Sequence, residues 1–349
     1  MLASQKYQNK KIAVYGLGIT GISTANFLKK LKNRVYCWDD DSKVRREARR
    51  KKLEVVKFWS KKNLIDNIVI SPGIDINKCN IKNYLRKNSN KIITDLDVFF
   101  DLNKNEQIIS ITGTNGKSTT CKIIEKILKT AKYNAVTLGN IGNPILNFKK
   151  NKKNYIFILE VSSYQLEYSK LFRSKHAAIL NISTDHLDRH KTLNNYKRIK
   201  SKIFFAQNKS DYSYINSDNI HTKSIKKIIK RLNLKSKVIT VDKSNCSFLL
   251  KKINNKYFKT GGNVENLAFA YQIVKNFKIS DKVIVKALNQ FKGLPHRQEI
   301  VFSNDKLICV NDSKATSFDA CLQSIKNYNN IYWIVGGTPK DKDIFNLNN

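Results

Sequence analysis

The chain has 349 residues, which is enough for two or three domains with hydrophobic cores, so a single domain is not expected. Lys and Arg number 65 against 27 Asp and Glu, and this net charge of +38 is typical of proteins that bind nucleic acid or anionic membranes. The lysines, however, are spread through every segment, with neither a basic tail nor a stripe of basic and aromatic residues. We therefore expect no nucleic-acid partner, although a basic surface would help to attract nucleotides.

The cysteines and the hydropathy pattern bear on the compartment. The first residues are polar, and no apolar run approaches the length that spans a bilayer. The six cysteines show neither CxxC spacing nor a clustered framework: Cys37, Cys79, Cys121, Cys246, Cys309 and Cys321. We expect a cytoplasmic protein with reduced, mostly buried thiols and no membrane partner.

The first predicted elements are those of a Rossmann-like domain. A buried strand, Lys11–Tyr15, leads into a GxGxxG loop at residues 16–21 and then a helix. A second strand ends at Asp39, where such domains place a ribose-binding acid, and a third, residues 68–70, is followed by a turn at Gly73. The motif alone favours NAD as the ligand. The alternative is that the glycines only allow a helix to pack closely on a strand.

The most informative stretch is residues 108–120, IISITGTNGKSTT, a β-branched strand that breaks into a glycine loop and then a helix. Gly113 and Gly116 allow a tight turn that aims backbone N–H groups at an anion, and the helix N-terminus adds a positive field. Lys117 supplies a charge for the terminal phosphates, and Ser118 or Thr119 a hydroxyl for Mg²⁺. The loop is a shortened GxxGKST, which alone could be an ordinary turn before a helix.

Two further predicted strands favour the nucleotide interpretation. Residues 155–159 are continuously apolar and end at Glu160, and residues 177–182 lead to Asp185 and His186. Open α/β sheets bind ligands at the carboxyl ends of their strands, so the three strand ends together predict a nucleotide and Mg²⁺ site.

Lys200 lies on the apolar face of the next predicted helix, one turn from Tyr196. Most lysines on such a face extend their amine to water. A lysine held in apolar surroundings has a lowered pKa, and its neutral amine can instead react with CO₂ to give a carbamate, an anionic metal ligand.

The pattern of the remaining residues predicts further strands at one edge of this sheet, followed by a separate C-terminal region. Short strands and a lysine-rich helix between residues 211 and 258 are expected to close the sheet. After a loop at Pro295, a strand at 306–310, a helix and a strand at 331–335 predict one βαβ unit. One such unit cannot cover both faces of a parallel sheet, so residues from about Ile300 onward should expose apolar side chains.

Five segments in this order resemble the Mur ligase family: TGTNGKST, LEVSSYQLE, STDHLDRH, GLPHRQE and NDSKATS. Each is weak alone, but five in register are specific, and the resemblance runs from about Lys10 to Phe345. The GLGITG start and the EVSSYQLE segment favour the D-glutamate-adding members over the others. The alternatives are another amide ligase of the superfamily, such as a folylpolyglutamate synthase, which lacks the GLGITG domain, and a non-catalytic nucleotide- or nucleic-acid-binding module.

The resemblance implies a monomeric α/β protein of three domains: residues 1–97 for the UDP-substrate, 98–299 with the phosphate loop for ATP, and 300–349 as an incomplete Rossmann-like domain. It implies peptidoglycan-precursor synthesis, in which ATP phosphorylates the alanyl carboxylate of UDP-N-acetylmuramoyl-L-alanine and the amine of D-glutamate attacks the acyl phosphate. In the family the third domain continues further and carries most of the D-glutamate site. We therefore expect weak D-glutamate addition, with only Lys340 of that site present.

The resemblance also assigns residues to sites. Catalytic roles fall to Lys117, Glu160, His186 and a carbamylated Lys200, and two Mg²⁺ ions to Ser118, Glu160, His186 and Lys200. ATP would be held by Gly113, Thr114, Asn115, Gly116, Lys117, Ser118, Thr119, Asn263, Asn266, Arg297, Asp312 and Lys314. Leu17, Ile19, Thr20, Asp39 and Gly73 would bind UDP rather than NAD, and Asn140, Ser162 and Gln165 the muramoyl-alanine part. The chain departs from the family pattern at Gly262, where a histidine is frequent, and at Asp40 and Asp41 near the uracil.

Overall fold

The computed structural model describes residues 5–60, 65–140, 143–259, 261–315 and 318–337. Lys340 and the remainder of residues 338–349 lie outside these ranges. The described chain forms a five-stranded sheet, a six-stranded sheet and a two-stranded sheet, with helices between the strands. The predicted α/β class is confirmed. In the part of the chain described, no helix is both long and apolar enough to cross a membrane.

The first sheet is parallel throughout, in the order β3-β2-β1-β4-β5. Its strands are β1 (Lys11–Tyr15), β2 (Arg34–Trp38), β3 (Glu54–Val55), β4 (Asn67–Ile70) and β5 (Ile92–Ile93), and its helices are α1 (Ile19–Lys30), α2 (Ser42–Arg50), α3 (Lys82–Lys87) and α4 (Asp95–Leu102). Strands β2 and β4 lie on opposite sides of β1 in this sheet. The loops after β1 and β4 therefore meet at the position where such sheets bind ligands.

These two loops are bonded to each other. The Ser71 hydroxyl donates to the Gly16 carbonyl at 2.6 Å. Gly21 must be glycine, because a Cβ there would lie 1.8 Å from the same carbonyl oxygen. Glycine at position 21 thus allows α1 to pack closely on the loop after β1.

The second sheet is also parallel, in the order β11-β10-β9-β6-β8-β7. Its strands are β6 (Gln107–Thr112), β7 (Ala135–Gly139), β8 (Ile156–Glu160), β9 (His176–Ile179), β10 (Tyr212–Asn216) and β11 (Lys237–Val241). Its helices are α5 (Lys117–Thr130), α6 (Ser163–Glu167), α7 (Leu187–His190), α8 (Leu193–Ser201), α9 (Thr222–Arg231), α10 (Ser247–Leu250), α11 (Gly261–Val274) and α12 (Asp281–Asn289). The three strands predicted to carry site residues, β9, β6 and β8, are adjacent, and β10 and β11 extend the sheet at one side, as predicted.

The connection between the two sheets is fixed by a buried carboxylate. Asp97, on α4, accepts hydrogen bonds from the Ser169 hydroxyl at 2.7 Å and from the backbone N–H of Leu171 at 2.8 Å and Phe172 at 3.0 Å. Because several donors satisfy it, the buried charge holds α4 against the second sheet. The proposed boundary after residue 97 falls within this helix.

The C-terminal region differs from the βαβ unit expected from the sequence. Its strands β12 (Glu299–Ser303) and β13 (Ile308–Asn311) pair antiparallel and are followed by α13 (Phe318–Ile325). Residues 331–336 form no strand, so the prediction there is wrong. The predicted exposure of apolar side chains is confirmed, with exposed fractions of 51% at Phe302 and 98% at Ile334. A two-stranded sheet has too little surface to bury them.

Candidate active site

The phosphate loop joins β6 to α5 and depends on a glycine with positive φ. Gly116 has φ of 81°, and a Cβ at this position would lie 2.2 Å from Oδ1 of Asn266 on α11. The Thr120 hydroxyl donates to the same amide oxygen at 3.2 Å. The first N–H groups of a helix have no partner within the helix, so the loop directs donors and the α5 dipole at one point, which suits an anion.

Lys117, the first residue of α5, is turned back over this loop. Its ammonium donates to the carbonyls of Gly113 at 2.9 Å and Thr114 at 2.8 Å. Burial lowers the pKa of Lys117; the Glu160 carboxylate opposes this shift, and the Arg297 guanidinium adds to it. The Lys117 amine is thus held at the loop, and the Glu160 and Asp185 carboxylates favour its charged form, the form that can pair with phosphate.

A hydroxyl and a carboxylate meet beside the loop. Ser118 donates to Oε2 of Glu160 at 2.7 Å, and the Asn140 amide donates to Oε1 at 3.0 Å, with Glu160 only 3% exposed. Within the described ranges no three His, Cys, Asp or Glu side chains form a metal-binding group. Mg²⁺ needs no such group, since it is usually held by one or two carboxylates, substrate phosphates and water. Ser118 and Glu160 fit that ion.

Lys200, from α8, reaches the same loop and the same Gly113 carbonyl as Lys117. Its side chain is buried, with 2% exposure, and its amine donates to the Gly113 carbonyl at 2.9 Å and the Thr112 hydroxyl at 3.3 Å. Burial lowers the pKa of Lys200 well below its ordinary value, and the positive charge of Lys117 lowers it further. The alternative of a lysine that extends its amine to water is therefore wrong.

His186 lies at the N-terminus of α7 in a left-handed conformation, with φ of 55°. Its Nδ1 is 3.1 Å from the Tyr164 hydroxyl, and its Nε2 is 3.3 Å from the Asp185 carboxylate. The Tyr196 ring packs edge-on against His186, with the ring centroids 6.4 Å apart, and its hydroxyl lies 3.4 Å from that of Thr114. Tyr196 thus links His186 to the phosphate loop. The structure therefore brings the proposed metal residues to one edge of the sheet.

A cavity of about 400 Å³ opens over the loop, between α11 and the C-terminal region. Seven of the proposed ATP residues line it: Asn115, Gly116, Thr119, Asn263, Asn266, Arg297 and Asp312. Lys314 is exposed and bonded through its N–H to the His296 carbonyl at 3.0 Å. Asp312 accepts from the Gln298 N–H at 3.1 Å, and burial raises its pKa.

Sequence reasoning missed several residues of this cavity. The backbone carbonyl of Asn181 accepts from the Thr114 N–H at 3.0 Å, and its side-chain Oδ1 accepts from the Asn115 N–H at 2.8 Å. The Asn181 amide also donates to Glu265 at 3.1 Å. Because Asn181 lies two residues after the end of β9, the rule of strand ends could have found it. Lys243 and Tyr257 also line the cavity, but no sequence pattern marks them.

The proposed UDP residues lie around the loop after β1. The Leu17 N–H donates to Asp39 at 2.7 Å, Ile19 is 78% exposed, and Gly73 is exposed on the loop after β4. The neighbouring acids have structural partners. Asp40 accepts from the Tyr15 hydroxyl at 2.6 Å, and Asp41 caps α2 by accepting from the Lys43 N–H. Thr20 lies in the first turn of α1 and accepts from Thr24 through its carbonyl.

The proposed muramoyl-alanine residues have two different settings. Asn140 bonds Glu160 and so lies at the phosphate loop. Ser162 and Gln165 form a capping box at the start of α6, with the Ser162 N–H donating to Gln165 at 3.0 Å. The Gln165 side chain also hydrogen-bonds the buried Asp95 carboxyl on α4.

Comparisons with known proteins agree with this arrangement. The model of the Mur ligase middle domain matches residues 111–284, and that of the MurD-like N-terminal domain matches residues 10–93. The UDP-N-acetylmuramoylalanine--D-glutamate ligase of Rickettsia felis is 37% identical over 97% of this chain and 78% of its own length. The ligase of the same name from Clostridioides difficile is 34% identical, over 97% and 80%. The chain belongs to the Mur ligase family.

Solved structures of Mur ligases have the same fold. The murein peptide ligase Mpl of Psychrobacter arcticus has a TM-score of 0.53 at 15% identity, covering 91% of this chain and 75% of that one. MurF of Acinetobacter baumannii has a TM-score of 0.50 at 19% identity, covering 67% and 57%. The predicted Mur ligase architecture is thereby confirmed.

Proposed function

We propose that this Mur ligase joins D-glutamate to UDP-N-acetylmuramoyl-L-alanine with cleavage of ATP to ADP and phosphate, in the synthesis of the peptidoglycan precursor. The identity to D-glutamate ligases over 97% of the chain favours this substrate pair within the family. The observation that carries the chemistry is the buried Ser118–Glu160 pair beside the Lys117 loop. We expect the protein to act as a monomer, without nucleic acid.

The residues of the loop would bind and stabilise the phosphates. Lys117 and the N-terminus of α5 would hold the terminal phosphates, and Arg297, whose guanidinium lies 3.4 Å from the Ser118 hydroxyl, would add charge from the other side of the cavity. Mg²⁺, held at Ser118 and Glu160, supplies charge neutralisation for the phosphoryl group when bound. The alanyl carboxylate would attack the γ-phosphorus, ADP would leave, and the D-glutamate amine would then displace phosphate.

We further propose that Lys200 carries a carbamate. Its buried amine with a lowered pKa can attack CO₂, forming an N–C bond and releasing one proton. The remaining N–H would keep the bond to the Gly113 carbonyl, and the anionic oxygens would offset the charge of Lys117. With His186, this group would provide a second Mg²⁺ site.

The experiment separates the two half-reactions. Purified protein with ATP, Mg²⁺ and UDP-N-acetylmuramoyl-L-alanine should form an acyl phosphate that borohydride reduces to the alcohol. Addition of D-glutamate, but not L-glutamate, should release phosphate and the dipeptide product. ATP turnover that is indifferent to the UDP-substrate would refute the proposal. Product formation with a different amino acid would leave the ligase chemistry standing but change its substrate.

A further inference from the structure

The Arg189 side chain joins the two parallel sheets. Its Nε and Nη2 bind the Glu167 carboxylate at 2.8 Å and 2.7 Å, and its Nη1 and Nη2 donate to the carbonyls of Gly73, at 3.4 Å, and Ile74. Glu167 ends α6 beside the second sheet, whereas Gly73 and Ile74 follow β4 of the first. With its side chain 7% exposed, the guanidinium is a largely desolvated bridge between them.

A second contact supports the same loop. The Tyr168 hydroxyl accepts the Ile76 N–H at 3.1 Å and lies 3.3 Å from Nη2 of Arg189. Backbone groups of residues 73–76 are therefore bonded to Arg189 and Tyr168, two side chains that lie beside the second sheet. Backbone groups keep their position whatever side chains the loop carries, so the contact orients the loop as a whole.

Each end of this bridge leads to one of the proposed sites. On one side, Ser71 bonds the loop to Gly16 and thus to the other half of the proposed UDP site. On the other side, the N–H groups of Arg189 and His190 donate to the His186 carbonyl at 3.2 Å and 3.0 Å. Only two residues separate Arg189 from His186, so the bridge and the proposed metal residue belong to one short, hydrogen-bonded segment.

We propose that Arg189 is a positioning residue that sets the UDP-binding loop, residues 71–74, at a fixed place relative to the phosphate loop. The inference rests on the proposed function, in which one substrate must place its UDP on the first sheet and its carboxylate at the second. A planar guanidinium can bind a carboxylate and two carbonyls at once, whereas an ammonium cannot keep this geometry. Arg189 thus fixes the distance between the UDP-binding loop and the phosphate loop. It does not contribute to the affinity of the protein for either end of the substrate.

The test compares Arg189→Lys with Arg198→Lys, an exposed arginine on α8 that serves as the matched control. For Arg189→Lys we expect kcat/KM for the full UDP-substrate to fall about tenfold to hundredfold, the effect of losing one or two charge-assisted bonds. The affinity for free UDP and the KM for ATP should stay within about twofold of wild type. Arg198→Lys should match wild type in all three quantities.

A readout that needs no activity is hydrogen exchange of the backbone N–H groups. In Arg189→Lys the amides of residues 74–76 should exchange faster, while those of α5 remain protected. If wild type shows no ligase activity but this local change occurs, the proposed function fails and the bridge still stands. Unchanged exchange, unchanged kcat/KM, or a loss of UDP affinity as large as the loss of kcat/KM would each overturn the assignment of Arg189.

Discussion

Replacement of Lys200 by alanine tests the core of the proposed site. The change removes a buried amine that donates to Gly113 and Thr112, at the loop where Lys117 also lies. If Lys200 bears the carbamate, its loss removes a charged group that acts on the transferring phosphoryl group. Groups of this kind contribute about 10²- to 10³-fold to kcat, or roughly 3 to 4 kcal/mol. The folded state should tolerate the change, because the removed amine had a lowered pKa and was costly to bury charged.

The assay is substrate-dependent phosphate release, with added formate or acetate as a rescue. A short carboxylate should restore part of the activity of Lys200→Ala, since it can supply the missing oxygens in the space left by the side chain. Wild type should lose activity in CO₂-free buffer and regain it with bicarbonate. Lys197→Ala is the control, since Lys197 lies one turn earlier on α8 and is similarly buried. Full activity of Lys200→Ala would refute both the carbamate and any catalytic part for this residue.

Three further changes test other parts of the site. Lys117→Ala should abolish acyl phosphate formation yet leave UDP-substrate affinity within about threefold, because Lys117 would contact the ATP phosphates while the UDP part of the substrate lies at the first sheet; equal loss of both would contradict this division. Gly116→Ala should cost about 2 kcal/mol or more in denaturant unfolding, since φ is 81° and Cβ would meet Asn266; an unchanged midpoint would be evidence against the contact. Burial raises the pKa of Asp95 to about 6, above its value of about 3.9 in the unfolded chain. Because the folded state then binds a proton that the unfolded state has lost, the free energy of unfolding of wild type should fall by up to about 3 kcal/mol as pH rises from 4 to 6. Asp95→Asn should therefore unfold at a higher temperature than wild type at pH 7.5 and at nearly the same temperature at pH 4; a constant difference would exclude this titration.

The elements that the sequence predicted best are strands buried on both faces. Residues of β8 are all buried, and a continuous apolar run that ends at Glu160 is sufficient to locate such a strand and its functional end. Lys200 was also predictable, because helical spacing placed it among apolar residues. In these cases the local pattern and the tertiary environment agree, so the sequence contains the necessary information.

The C-terminal region shows where this reasoning fails. Residues 331–335 contain β-branched and aromatic residues, but a strand forms only where another strand pairs with it, and the chain in the described ranges offers none. Conversely, β12 was missed because its pairing with β13 is a tertiary event between two short segments with exposed side chains. The β-propensity of a segment does not specify the strand with which it pairs. The absence of a strand at residues 331–335 and the presence of β12 therefore could not be predicted from the residue types alone.

The interactions that join the two sheets could not be predicted for a different reason. Arg189 and Gly73 are 116 positions apart, and each lies in a segment whose local pattern is complete without the other. Asn181 and Glu265 likewise meet only because β9 and α11 converge on the phosphate loop. Sequence reasoning therefore identifies groups that act alone on a ligand, such as Lys117, more readily than groups that act through other protein groups.

The electrostatics of the site connect these observations. Lys200 is buried and Lys117 half-buried at one loop, and desolvation is the main reason why the pKa of each amine is lowered. The protein therefore accepts an unfavourable arrangement of two amines. Glu160 offsets this charge in part, but its oxygens are already engaged by Ser118 and Asn140. A structure that buries cationic groups with too few protein anions is stabilised by anions from outside. Phosphate at Lys117 and a carbamate at Lys200 would add negative charge to that of Glu160 and Asp185, the two carboxylates that already oppose the lowering of both pKa values.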